Sequence, residues 1–79
     1  MMQLIDQRDW AWTLYADGER RYLSVLCGTI AMYELTLELD ASERARIEEP
    51  GFLDALAREV SYRPDSYKAR HVTGFKAPD

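Results

Sequence analysis

The chain has 79 residues, 47% of them hydrophobic, and a net charge of −4. That is too apolar for a disordered segment, and one domain, 1–79, of this size buries only about two-thirds of its unfolded surface. The negative charge argues against a polyanionic partner, the single cysteine excludes an internal disulfide, and no apolar run nears the roughly 20 residues that cross a bilayer.

The opening MMQLIDQRDW has no basic stretch leading into an apolar one, so no signal peptide is expected. The chain has no Asn and hence no N-glycosylation site. A cytoplasmic location is the resulting expectation. Arg outnumbers Lys eight to two, which points to a GC-rich, bacterial genome.

Leu4 and Ile5 are expected to form a lead-in that pins the terminus. From Asp9 to Ala16 the residues alternate, with Trp10, Trp12 and Leu14 on one parity and Ala11, Thr13 and Tyr15 on the other. Asp17-Gly18 follows, a strong hairpin signal because a type I′ turn needs positive φ at both central positions. A two-residue loop there pairs Ala16 with Glu19, Leu14 with Arg21, Trp12 with Leu23 and Trp10 with Val25.

Arg20 to Asp40 is the organising stretch. Tyr22 to Cys27 reads as a second strand. Beyond Gly28, Ala31, Tyr33, Leu35, Leu37 and Leu39 share one parity and Glu34, Thr36 and Glu38 the other, the signature of a strand with one buried face. To keep Leu23, Val25 and Cys27 on the face of Tyr33 and Leu35, the intervening loop must hold an odd number of residues. Three residues with a bulge near Gly28 satisfy this.

Asp40-Ala41-Ser42-Glu43 has the form of a capping box, opening a short helix to about Glu48. Gly51 to Ser61 carries Phe52, Leu53, Leu56, Ala57 and Val60 at helical spacing, which predicts the main helix, lying over the Trp/Leu face. Pro64-Asp65-Ser66 marks a turn. Tyr67 to Val72 admits a short fourth strand beside Leu35–Leu39, with Lys68 and Arg70 meeting Glu34 and Glu38. The expected class is therefore α+β: a three-stranded antiparallel β-meander (about 9–39), one or two helices on one face (about 41–61), and a C-terminal segment, 62–79.

No catalytic, cofactor or metal constellation is visible. Cys27 and His71 could form a thiolate pair if adjacent, but Cys27 has core parity and reads better as a small buried hydrophobe. The acids Glu34, Glu38, Glu48 and Glu49 occupy solvated positions. One histidine makes no transition-metal ligand set.

Up to Glu59 there are twelve acids and six bases; from Val60 there are two acids and four bases. The basic residues Arg63, Lys68, Arg70 and Lys76, interleaved with Tyr62, Tyr67 and Phe75, suit single-stranded nucleic acid or, more simply, the acidic body of the same or a neighbouring subunit. The second sheet face carries Tyr15, Tyr22 and Leu26, with Met32 nearby. It is too aromatic to leave to water unless the terminal segments cover it.

These features favour a small non-enzymatic module that self-associates, as a homodimer, or docks on another protein through Tyr15, Tyr22, Leu26 and Met32. A membrane partner is not expected. One alternative is a nucleic-acid accessory protein using the basic C-terminal segment. The other is a ligand binder or enzyme with a pocket between Trp10/Trp12 and the helix, its chemistry completed at a subunit interface.

Overall fold

A computed structural model describes residues 2–28 and 33–75. Four antiparallel strands lie in the order β1 (Met2–Arg8), β2 (Trp12–Asp17), β3 (Arg20–Cys27) and β4 (Tyr33–Glu38). Helices α1 (Ala41–Ala45), α2 (Phe52–Tyr62) and α3 (Pro64–Tyr67) follow, then a 3-10 turn over Lys68–Arg70. The meander β2–β4 and the helices after it make the α+β arrangement that the residue pattern predicts.

The core lies between one sheet face and α2. Trp12, Leu14, Leu23, Val25, Cys27, Leu35, Leu37 and Leu39 meet Leu53, Leu56, Ala57 and Val60 there. These are the parities and the helical stripe read from the chain. A fully buried Leu or Val contributes roughly 1.5–3 kcal/mol relative to exposure, so this interface dominates the fold. The capping box forms as expected: Asp40 Oδ1 accepts from the Glu43 amide at 2.8 Å, and Glu43 Oε1 accepts from the Asp40 amide at 2.9 Å. The helix it opens stops at Ala45, three residues before Glu48; none of its own residues is buried, and only the half-buried Ile47 beyond it packs on the core.

The first hairpin is shifted by two residues from its expected register. Asp17 pairs with Arg20, Leu14 with Leu23 and Trp12 with Val25. The central turn residues are Gly18 and Glu19, and of these only Gly18 has positive φ (63°). That is the type II′ pattern, which needs glycine at its first central position only. A shift of two preserves every side chain's face, so the core is unchanged. Trp10, however, leaves the strand and sits in the β1–β2 turn.

Cys27 pairs with Tyr33, which keeps Leu23, Val25 and Cys27 on the face of Tyr33 and Leu35 as expected, and the three-residue loop expected after Gly28 lies outside the described residues. Met32 and Ala31 lie outside the described residues. The lead-in around Leu4 and Ile5 is a full edge strand. Ile5 is a bulge between the pairs Leu4–Tyr15 and Asp6–Leu14, so Leu4 and Asp6 face opposite sides of the sheet although they are two residues apart.

The C-terminal segment reaches the outer edge of β4, where a fourth strand was expected, through a single bridge between Leu37 and His71. Before that bridge it is helical. Pro64 takes the first position of α3, where its missing N–H has no partner to lose.

A cleft framed by Trp10 and Tyr62

The site is built on the β1–β2 turn. The Ala11 amide donates to the Arg8 carbonyl at 3.0 Å, and the Leu26 amide donates to the Ala11 carbonyl at 2.9 Å. Both ends of the turn are thereby fixed to strands. Trp10 occupies its third position with φ 64°, the sole non-glycine residue with positive φ among the described residues. A bulky L-residue in this region costs about 1–2 kcal/mol. Burial does not offset it, because Trp10 is 85% exposed.

Trp12, two residues on, is 7% exposed. Its indole N–H donates to Asp54 Oδ1 at 2.9 Å, and Arg8 Nε lies 2.9 Å from the same oxygen. Asp54 of α2 thus ties β1 and β2 to the helix. The Arg8–Asp54 pair is largely exposed and worth little by itself. The Trp12 bond matters more, since it satisfies a donor in a buried side chain.

This arrangement leaves a cleft of about 340 Å³ between the Trp10 turn and the last turns of α2. Its floor is Trp12, Val25, Leu26 and Ala57, and Arg58 and Tyr62 stand on the far wall. Tyr62 is 84% exposed. A second hollow, about 270 Å³, lies on the other side of the turn, toward Ser24 and Glu34. Trp10, Ala11 and Leu26 line both, so the turn is a ridge with a depression on each side. Arg58 makes no ion pair among the described residues, so the cleft carries one uncommitted positive charge.

The residues singled out from the sequence take other positions. Tyr15 and Tyr22 are buried, because Phe75 lies across them with ring centroids 5.1 and 5.4 Å away. The sheet face expected to be open is covered there by the chain's own C-terminal segment. Burial, then the charge of Glu34, pushes the Tyr15 hydroxyl above its ordinary pKa. Ser24 and Thr36, beside the tyrosines on this face, are also buried and joined Oγ to Oγ1 at 2.5 Å. Leu26 alone of the proposed contact set reaches the cleft, and Met32 lies outside the described residues.

Of the basic residues, Lys68 pairs with Asp65 at 2.9 Å. Arg70 grips Glu43 with both terminal nitrogens, at 2.5 and 3.1 Å, and also donates to the Glu38 carbonyl at 3.1 Å. Of the expected partners, Glu38 offers Arg70 a backbone oxygen rather than its carboxylate and Glu34 is not engaged, because helical residues 64–70 hold Arg70 near the start of α1. Arg63 is exposed, and Lys76 lies outside the described residues.

Cys27 and His71 are not brought together. The Cys27 thiol faces the core, donates to the Val25 carbonyl at 3.6 Å, and is pushed up in pKa by burial. His71 sits on the far edge of β4, where its Nδ1 accepts from the Thr36 amide at 3.1 Å. No group of three or more His, Cys, Asp or Glu is placed to hold a metal ion among the described residues. No helix there is long and apolar enough to cross a membrane.

Trp10 and Tyr62 were the site residues hardest to find in the sequence. Trp10 shares the parity of the core, and only the turn register reveals its exposure. Tyr62 lies two residues past Val60, the end of the apolar stripe, and the stripe gives no reason to expect it at a cleft. No protein family, no curated protein and no solved structure matches the chain.

Proposed function

We propose that this chain is a non-enzymatic interaction module whose contact surface is the Trp10–Tyr62 cleft. The observation that carries the reading is Trp10: a large aromatic side chain held in a strained backbone conformation and left in water. Strain of this kind survives where something else over-determines it, and exposed tryptophan and tyrosine are typical interface anchors. The occupant we favour is a segment of another protein that carries an apolar side chain beside a carboxylate. The apolar group suits the Trp12–Val25–Leu26–Ala57 floor, and the carboxylate suits Arg58.

Trp10→Gly tests this, because it removes the ring and relaxes the backbone at once. Immobilised wild type should retain a partner from lysate that immobilised Trp10→Gly and Tyr62→Ser do not, while both variants melt no lower than wild type. Identical retention by all three would sink the surface.

Small-ligand binding has support as a second reading, since the cleft is lined by both tryptophans and its volume falls at the low end of small-molecule sites. It predicts that some anionic compound of a screening panel raises the melting temperature of wild type but not of Arg58→Ala. The nucleic-acid reading has less support, because Lys68 and Arg70 already hold carboxylates of their own chain.

A further inference from the structure

The segment His71–Phe75 binds the sheet as a separate peptide would. The Val72 amide donates to the Thr36 carbonyl at 2.8 Å, and the Thr36 amide donates to His71 Nδ1 at 3.1 Å, so both polar groups of one edge residue are used. Three residues later Phe75 fills the slot made by the cross-strand pair Tyr15–Tyr22. Main-chain bonds at a sheet edge combined with one side chain in a pocket are the general mode of recognition by strand addition.

We propose that the β4 edge and the tyrosine slot form a peptide-docking groove that takes the His71–Phe75 segment of a second copy in exchange for the chain's own. Every contact made within one chain is available between two, with the same geometry and a closed two-fold arrangement. The connection is suited to re-routing. It runs from Pro64 through α3 and the 3-10 turn, which have no fully buried residue and are held to the body by the partly buried Tyr67 and the Arg70–Glu43 pair. Charge complementarity serves either route, since residues 60–79 are net +2 and residues 1–59 net −6. The groove also needs an occupant, because without one Tyr15, Tyr22, Ser24 and Thr36 face water. The balance between the two routes is set by the effective concentration of the tethered segment, on the order of millimolar for a short flexible connection. The inference rests on no part of the Trp10–Tyr62 reading, and its readout is separate from that surface.

Two measurements test it. A fluorescent peptide of residues 67–79 is titrated into the full-length Phe75→Ala chain, whose own segment has lost its ring. Binding at least tenfold tighter than to wild type is expected, and it should disappear when Tyr22→Ser is added. Isotope-labelled and unlabelled wild-type chains are also mixed near millimolar concentration, refolded together, and examined for contacts between the Phe75 ring of one and the Tyr22 ring of the other. Such contacts are expected. Their absence overturns the proposal, even if the peptide binds, because the second copy is then not the occupant. Intermolecular contacts confined to Trp10 overturn it equally. Should Phe75→Ala fail to fold, the mixed wild-type sample decides alone.

Discussion

Strand β2 begins and ends in tight turns that make the same demand of the backbone and answer it with opposite residues. At its end Gly18 takes φ 63°, and at its start Trp10 takes φ 64°. Glycine meets that demand without a Cβ penalty. Tryptophan meets it at a loss, and its ring is not buried in return. The Gly18 turn is therefore explained by folding alone, whereas the Trp10 turn is held by its surroundings. Its neighbours supply the hold: the Ala11 amide and carbonyl are both bonded to strands, and Arg8 and Trp12 on either side are tied to Asp54.

The contrast can be broken most forcefully at Asp54. Asp54→Ala strands the Trp12 indole N–H and releases Arg8, and should lower stability by about 1–3 kcal/mol. Asp54→Asn keeps an acceptor for the indole and should lose clearly less. Urea unfolding of the pair separates the two, and equal losses would mean that the indole bond does not hold the turn.

At the other end, Gly18→Val should cost about 1–2 kcal/mol through backbone strain alone. A Cβ built there meets no atom within 4 Å, so steric clash does not contribute. Gly18→Asn should cost less, since Asn tolerates this conformation. The smallest effect is the most informative because its sign is reversed. Trp10→Gly should raise stability by about 0.5–1 kcal/mol as the strain is relieved, offset by the greater freedom of the unfolded chain. A loss of similar size in the same urea assay would show that the indole contributes packing and that the two turns are not opposites.

The same two turns show why part of this molecule was readable from its residues. Alternation fixes which face a side chain takes but not its partner, since a shift of two leaves every face unchanged. The core, α2 and the capping box were therefore legible, while the register of the hairpin and the exposure of Trp10 were not. The residue pattern shows β1 only as a lead-in at Leu4 and Ile5, for a different reason. The strand buries almost nothing, and the extra residue at Ile5 reverses its phase midway, so no period of two runs through it. The cover on Tyr15 and Tyr22 depends on a contact between Phe75 and strands more than fifty residues earlier in the chain. The pattern around Phe75 carries no trace of that contact. The charge pattern predicts that Arg70 pairs with the acidic body, and it does, but with Glu43 rather than Glu34 or Glu38, because residues 64–70 coil instead of extending.

The bulge at Ile5 has a consequence for how the chain can change length. All six β1–β2 pairs are made by the residues on either side of it. A deletion of this one residue would leave each pair in place and straighten the edge, whereas a deletion anywhere else between Gln3 and Arg8 would force the strand to slip or to shift its bulge. Among related chains, a gain or loss of one residue in the N-terminal strand should therefore fall at this position.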